Sequence, residues 1–366
     1  MKKFIPFLLI AALYSCNSTI PRIFNKKTPH EKYAEKLEDS GLEKTIQGQQ
    51  WLAASEIALQ QPLNIELPFK LIGHFPTDKP RALGFRFRAL RGEKLTFVLS
   101  RKSLDNAVVY ADLYKENGTE NKPSFLISSD TSGGELNYEI EETGSYILRL
   151  QPELFRTAEY DLVISTGPSL DFPVPGKKAK IGSIWGDDRE GGNRKHEGID
   201  IFAPKRTPVI AGSDGVVTGT NDDGIGGKTV WLRLINNKVT LYYAHLDEQL
   251  VHAGQYVKKG DTLGLVGNTG NAKFTPSHLH FGIYTNAGPI DPLPFVNQSI
   301  GSTPTVQAKD LSRNIRLIKS QTVGKSDSVL KANTMLKPLA VTSKNFIAEL
   351  SDGKILQVPF AAVKTI

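Results

Sequence analysis

PSHLHFGIY, residues 276–284, is the stretch that decides the fold of the central part of this chain. In a β-strand, successive side chains point to opposite faces. One face of this strand then carries three apolar residues, Leu279, Phe281 and Ile283. Because these three belong in a core, His278 and His280 must point away from it. The stretch therefore predicts a buried strand that presents two histidines on its outer face.

The same alternation applies to HEGIDIFAP, residues 196–204. His196 and Asp200 share one face, and the isoleucines at 199 and 201 share the other. Gly198 lies between His196 and Asp200 and leaves their face open. A histidine and a carboxylate from this strand can therefore converge on one ion.

Histidines are concentrated in these segments and in YYAHL, which contains His245. A histidine, a carboxylate and a second histidine form the ligand set of an open, hydrolytic zinc site, and further histidines can supply acid and base. The helical zinc motif with two histidines four residues apart is absent, because Asp200 stands four residues after His196. The other histidines, His30, His74 and His252, are interpreted as ordinary surface or loop residues.

Five segments, in this order and spacing, resemble the lysostaphin-type zinc metalloendopeptidases, which cut peptide cross-links in bacterial peptidoglycan. They lie within residues 174–297 and read HEGIDIFAP, TPVIAGSDGVV, LYYAHL, VKKGDTLGLVGNTG and PSHLHFGIY. The resemblance implies an antiparallel, sandwich-like catalytic domain with a duplicated hybrid motif. It also implies one Zn²⁺ per chain and peptidoglycan stem peptides as the substrate.

The resemblance implies a role for each site residue. His196, Asp200 and His280 bind zinc, and His245 and His278 are the catalytic histidines beside the metal. Zinc with three protein ligands keeps a position for water and lowers the pKa of that water to roughly 7. A histidine, with an ordinary pKa near 6.5, suits the proton transfers that follow. Which of His245 and His278 is the base stays open.

Two features depart from the family pattern. Gly282 follows the HLHF segment, where glutamate is often found, but this position is outside the ligand set. The segment WGDDREGGNRKHEG, residues 185–198, is more polar than in many members. This polarity affects the expected shape of the substrate groove. It does not affect the predicted metal ligands.

The N-terminus predicts export and lipid anchoring. Two lysines precede an apolar run, residues 4–13, which is shorter than a membrane-spanning helix and typical of a signal sequence. Leu13-Tyr-Ser-Cys16 resembles a bacterial lipoprotein signal, although Tyr14 departs from its strictest form. Simple secretion is the alternative. Asn17 after the cysteine favours the outer membrane, so the expected location is the cell envelope, anchored through lipidated Cys16 and facing the periplasm.

Composition supports a folded, exported protein. The chain of 366 residues is 39% hydrophobic and 23% charged, which suffices for two to three domains. Cys16 is the single cysteine, so an internal disulfide and a cysteine-ligated zinc site are both excluded. The net charge of +7 favours anionic surfaces, but the charges are scattered, so no nucleic-acid partner is expected. The oligomeric state does not follow from the sequence.

The chain reads as a mainly β protein with a short N-terminal helical segment. After the signal peptide (1–16) and a tether with helices (17–62), alternating strands predict a β-sandwich that resembles prepeptidase modules (63–166). A proline-rich linker (167–176) precedes the zinc metalloendopeptidase domain (177–297). The last part, 309–366, resembles a small β-barrel of the Src-homology type.

Two other functions compete with a peptidase. One is a non-catalytic scaffold that binds the wall or activates an amidase, but such members of this fold typically lack site residues, and this chain lacks none. The other is an adhesive or carbohydrate-binding lipoprotein whose flanking β modules carry the function. Binding of wall material by 63–165 and 309–366 separates it from a peptidase.

Overall fold

The computed structural model describes residues 27–102, 107–118, 122–131, 134–235, 239–299, 301–322 and 329–366. The predicted signal peptide, the predicted lipid anchor at Cys16 and the first part of the tether lie outside these residues, as does the hairpin turn that the sequence predicts at Asn236-Asn237. Among the described residues, no helix combines the length and the apolar character that crossing a bilayer requires. The fold is mainly β, as predicted.

Two helices precede the first strand, α1 (Pro29–Asp39) and α2 (Ile46–Gln60). Thr28 caps α1 in a capping box with Glu31, and the predicted break between the helices lies at Ser40 and Gly41, where Gly41 has φ 72°. The helices pack on the sandwich through Trp51, whose Nε1 donates to the carbonyl oxygen of Pro152 at 2.8 Å.

His30 corrects one expectation from the sequence. It is buried and not at the surface: its ring stacks on Trp51 with centroids 4.7 Å apart, and Nε2 lies 2.6 Å from Oε1 of Gln151. Burial lowers the pKa of His30 to about 4. His74 also lies within a strand, half-buried, whereas His252 lies in an exposed loop as expected.

The N-terminal module is a sandwich of two sheets. One sheet has the order β1-β3-β8-β5-β6, and the other contains β7-β4-β9-β2. Apolar side chains from both sheets form one core. The strands are β1 (Leu63–Asn64), β2 (Phe69–Phe75), β3 (Leu83–Ala89), β4 (Glu93–Arg101), β5 (Val109–Lys115), β6 (Ser124–Ser128), β7 (Gly134–Glu139), β8 (Gly144–Pro152) and β9 (Ala158–Pro168).

The central domain is an antiparallel sheet with the order β10-β13-β20-β17-β16-β15-β18, and β17 extends beyond this sheet to pair with β19, which pairs with β14. β21 pairs with β20. The elements are β10 (Lys180–Ser183), β11 (Asp188–Arg189), β12 (Arg194–Lys195), β13 (Ile199–Phe202), β14 (Pro208–Ile210), β15 (Gly215–Asn221), β16 (Lys228–Leu234), β17 (Val239–Gln249), β18 (Tyr256–Val257), β19 (Thr262–Val266), β20 (His278–Thr285), β21 (Gly288–Ile290) and the short helix α3 (Leu293–Val296).

The predicted alternation in the two deciding stretches is present. Leu279, Phe281 and Ile283 of β20 have no solvent exposure and lie in the core of the central domain. Ile199 and Ile201 of the neighbouring β13 join them there. Asp200 therefore faces away from the core, directly opposite His280 in the register of the two strands.

The C-terminal strands pack around a core of their own, and among the described residues β23 and β24 pair only with each other. The elements are β22 (Ile315–Leu317), β23 (Gln321–Thr322), β24 (Val329–Leu330), β25 (Met335–Val341), β26 (Asn345–Glu349), β27 (Ile355–Pro359) and β28 (Val363–Thr365). β22 pairs with both β25 and β28, and a turn at Asp352-Gly353 joins β26 to β27.

The two flanking modules share one sheet. β2 of the sandwich pairs with β25, so the sandwich sheet continues into β26 and β27. A buried ion pair reinforces this junction, with Arg81 Nη2 2.8 Å from Glu349 Oε2. The central domain is therefore inserted between two parts of the chain that pack on each other.

The ends of the inserted domain lie side by side. The backbone N–H of Leu170 donates to the carbonyl oxygen of Phe295 at 2.9 Å. Phe295 packs against Gly92 of the sandwich, where φ is 94° and an added Cβ would lie 2.3 Å from the Phe295 ring. Only glycine fits at this position, so the close approach fixes the base of the central domain on the sandwich.

Candidate metal centre

Three side chains converge on one point above the sheet of the central domain. Nε2 of His196 and Nδ1 of His280 each lie 3.0 Å from Oδ1 of Asp200, and the two nitrogens are 3.0 Å apart. These three ligand atoms lie within 4.8 Å of one another. Such a set of two imidazoles and one carboxylate is a typical ligand set for a hydrolytic metal site. The structure thus brings together all three residues that the sequence predicted as ligands.

Local structure sets which nitrogen of His196 faces the centre. Its Nδ1 lies 2.8 Å from the carbonyl oxygen of Ile184, which only accepts hydrogen bonds, so Nδ1 carries the proton. The lone pair of Nε2 is then available to a cation. This arrangement, a ligand histidine whose other nitrogen donates to a carbonyl, is common in metal sites. The residues present fit a bound metal.

Asp200 is ionised despite its burial. Burial by itself raises the pKa of this carboxyl group, but the adjacent imidazoles of His196 and His280 outweigh that effect and hold the pKa well below its usual range. For His280, burial is the largest influence and lowers the pKa. An anionic carboxylate with imidazole nitrogens beside it is the arrangement that binds a cation.

His245 lies at the bend of β17. Its backbone has φ 62°, and the registers of β17 with β16 and with β19 both shift near this residue. Nδ1 donates to the carbonyl oxygen of Thr269 at 2.9 Å, which leaves Nε2 as an acceptor. Burial, followed by the neighbouring histidines, lowers the pKa of His245 to about 4. At neutral pH this imidazole is therefore uncharged.

His278 stands beside His245 at the start of β20. The two ring centroids are 5.0 Å apart, and the ring of His280 is 6.0 Å from that of His245. Nδ1 of His278 donates to the carbonyl oxygen of Pro276 at 2.9 Å, so its Nε2 is also left as an acceptor. The structure thus places both histidines that were predicted as catalytic beside the ligand set.

An open cleft of about 630 Å³ contains all five predicted residues. Its described lining comes from residues 183–284, so the described parts of the flanking modules do not cover it. Tyr242 and Tyr284 form one wall, and Tyr284 Oη lies 3.4 Å from a carboxylate oxygen of Glu197.

Sequence reasoning missed two residues at the centre. Arg189 Nη2 donates to Oδ2 of Asp200 at 2.8 Å and to Oγ of Ser183 at 2.6 Å. Both residues come from segments outside the histidine motifs. The polar character of residues 185–198 indicates that they contain candidate site residues such as Arg189. The direction of the Arg189 side chain, however, depends on a tight turn, which side-chain alternation does not predict.

Residues 194–292 match the family described as Peptidase family M23. This range contains all three predicted ligands and both predicted catalytic histidines. It leaves out both flanking modules.

Two curated relatives match the same region. A Bacillus subtilis protein named L-Ala–D-Glu endopeptidase is 39% identical over 126 residues, which cover 32% of this chain and 38% of the relative. A Vibrio cholerae protein named peptidoglycan DD-endopeptidase ShyC is 39% identical over 93 residues, which cover 25% of this chain and 21% of the relative. The chain thus spans well under half the length of these relatives.

Among solved structures, the catalytic domain of lysostaphin from Staphylococcus simulans is 33% identical. The superposition covers 32% of this chain and 91% of that domain, with a TM-score of 0.30.

Proposed function

Because residues 194–292 form a domain of peptidase family M23, we propose that this chain is a zinc-dependent endopeptidase that hydrolyses peptide cross-links of bacterial peptidoglycan. One observation carries the proposal: three ligand atoms and two further histidines meet in a single open cleft. Relatives named as peptidoglycan endopeptidases support the substrate class.

His196, Asp200 and His280 are the residues that would hold Zn²⁺. When bound, the ion acts as a Lewis acid on the scissile carbonyl and makes a water acidic enough to ionise near neutral pH. The donor set favours zinc, because imidazole nitrogen and carboxylate oxygen are ordinary zinc ligands and the three atoms leave one side open to the cleft.

The chain itself supplies the proton transfers. His245 is uncharged at neutral pH and presents Nε2 as an acceptor, so it is ready to take a proton from the attacking water. His278 presents Nε2 in the same way, 5.0 Å away from ring to ring. Between them the pair receives the proton of the water and returns one to the leaving amine.

The cellular location is part of the proposal. The Leu13-Tyr-Ser-Cys16 segment supports export and lipidation, with the enzyme anchored to the outer membrane and facing the periplasm. In that position the cleft would face the peptidoglycan layer. Labelling of cells with a radioactive fatty acid, and its loss in Cys16→Ser, tests this anchor.

The activity is tested with purified, zinc-loaded protein and cross-linked muropeptides, with products identified by mass spectrometry. We expect cleavage, and the product masses identify the bond that is cut. His196→Ala loses both zinc and activity, whereas His245→Ala keeps zinc and loses at least about 100-fold in turnover, the usual contribution of a general acid or base. Intact muropeptides after incubation with the zinc-loaded protein would refute the proposal.

A further inference from the structure

Asp200 divides its two carboxylate oxygens between different partners. Oδ1 faces the nitrogens of His196 and His280, each at 3.0 Å. Oδ2 faces the opposite way and accepts a hydrogen bond from Nη2 of Arg189 at 2.8 Å. One oxygen is thus directed at the metal position, and the other is held by a cation.

Arg189 also supports His196 through a serine. The same Nη2 donates to Oγ of Ser183 at 2.6 Å, and this hydroxyl lies 3.2 Å from Nδ1 of His196. Ser183 faces Asp200 across the β10–β13 pair, at a point where the register shifts. Arg189 therefore contacts one predicted ligand directly and a second one through Ser183.

The position of Arg189 is built into a tight hairpin. Arg189 of β11 pairs with Arg194 of β12, and between them Gly191 and Gly192 have φ values of 69° and 96°. These are conformations that glycine adopts without strain. The Arg189 side chain is 26% exposed and that of Asp200 is 12% exposed, so their contact is largely shielded from water.

A charge-assisted hydrogen bond in such a setting restricts a carboxylate. Hydrogen bonds to charged groups are stronger than those between neutral groups. A carboxylate with both oxygens free can rotate or bind a metal through both of them. With Oδ2 held by Arg189, Oδ1 is the oxygen that faces the imidazole nitrogens and is directed at the metal position.

We propose that Arg189 is a positioning residue that holds Asp200 as a one-oxygen metal ligand and, through Ser183, orients His196. The inference rests on the proposed function, because it takes His196, Asp200 and His280 as the ligands. Arg189 also lines the cleft, so direct contact with a substrate carboxylate is the competing role that the test must separate.

The test compares Arg189→Met and Arg189→Lys in the full chain. Zinc affinity of the metal-free protein is measured by competition with a chromogenic chelator, and we expect Arg189→Met to bind zinc about 10- to 100-fold more weakly. Arg189→Lys should recover most of the affinity, because a single nitrogen makes both contacts. In the cobalt-substituted protein, Arg189→Met should show weaker visible absorption, since binding through both oxygens raises the coordination number.

Lys195→Met is the matched control. Lys195 lies on the partner strand of the same hairpin and is paired with exposed Asp188, so this variant removes a cation without touching the ligands. We expect its zinc affinity and cobalt spectrum to equal those of the wild type. Thermal unfolding of each metal-free variant shows whether the fold is intact, and Arg189→Lys remains informative if Arg189→Met does not fold.

Two results separate the possible failures. An Arg189→Met protein with unchanged zinc affinity, an unchanged cobalt spectrum and a raised KM at constant kcat would overturn the inference and assign Arg189 to substrate binding. If His196→Ala binds zinc as tightly as the wild type, the proposed function itself fails, because the site is then not the metal site. Loss of zinc in His196→Ala, with zinc retained in Arg189→Met, rejects only the role of Arg189.

Discussion

The five site residues occupy different local environments, and each environment suits one task. His196 has its Nδ1 proton engaged by a carbonyl, which frees Nε2 for a cation. Asp200 stays ionised between two imidazoles, and His245 stays uncharged because it is buried. These differences come from contacts between strands, so residue types alone do not reveal them.

Gly198 is a residue on which the site depends although it has no functional group. An added Cβ at this position would lie 2.5 Å from the carbonyl oxygen of Phe281 and 2.7 Å from the ring of His280. We expect Gly198→Ala to displace His280 and reduce turnover roughly 100-fold, as misplacement of about 1 Å often does. Muropeptide cleavage and zinc content are the measurements.

Gly219→Ala is the control for that prediction. The nearest atom to its added Cβ is Cδ1 of Trp231 at 3.9 Å, an ordinary contact, and φ at Gly219 is outside the left-handed region. Activity and zinc content should stay within twofold of the wild type. Equal activity of the Gly198 and Gly219 variants would show that the close approach at Gly198 is not required.

His30 makes the N-terminal helices sensitive to acid. Its folded-state pKa, about 4, lies below the value near 6.5 of an unfolded chain, so the unfolded state binds more protons between these values. The free energy of unfolding should therefore fall as the pH drops from about 6.5 to about 4, by roughly 3 kcal/mol from this residue. His30→Leu should flatten this part of the pH profile in urea unfolding. Parallel profiles for the two proteins would contradict the assignment.

At the scale of the element, strand β17 shows how a bend places His245 beside His278. Its first part pairs with β16 and β20, and its last part pairs with β19. His245 lies where these partners change, with φ 62°, a conformation that costs a residue with a side chain about 1–2 kcal/mol. The bend directs this imidazole toward His278 on β20.

Substitutions at residue 245 separate backbone strain from chemistry. His245→Gly should be about 1–2 kcal/mol more stable than His245→Val, because valine is branched at Cβ and glycine adopts positive φ without strain. Both variants lack the imidazole and should be equally inactive. Urea unfolding monitored by tryptophan fluorescence gives the stabilities, and similar values for the two would argue against a strained backbone at this position.

At the scale of the whole molecule, the flanking modules act as one support for the inserted domain. Arg81 and Glu349 connect the sandwich to the C-terminal strands, and their side chains are 2% and 6% exposed. Asp78 also accepts from Arg81, at 2.7 Å. Because this ion pair is buried, the loss of one partner costs more unfolding free energy than the loss of one partner of a surface pair.

A double-mutant cycle tests this junction. Arg81→Met or Glu349→Met alone removes one side of a buried pair, and Asp78 or Lys79 remains as the second partner of the charge that is left. Each single variant should therefore cost no more than roughly 3 kcal/mol of unfolding free energy, and the double variant should lose clearly less than the sum of the two, because the buried Arg81–Glu349 pair is removed as a unit. Additive losses, measured by urea unfolding of the full chain, would show that the two side chains do not stabilise the junction together.

The sequence by itself determined the mainly β fold and identified five residues, His196, Asp200, His245, His278 and His280, that the fold brings together in one cleft. Side-chain alternation in residues 196–204 and 276–284 settles which residues enter the core, because a strand has only two faces. The same rule accounts for β2, β4 and β9 of the sandwich, where buried and less buried residues alternate. Side-chain alternation within a strand can be predicted from the local sequence alone.

Tertiary structure alone decided three features. The contact of Arg189 with Asp200 depends on a glycine turn, the burial of His30 depends on helices packing against a sheet, and the shared sheet depends on β25 meeting β2 more than 260 positions away. In each case, the local sequence of one segment does not indicate which other segment it contacts. Their pairing is fixed by the packing of the complete chain, since burial and charge pairing are properties of the folded whole.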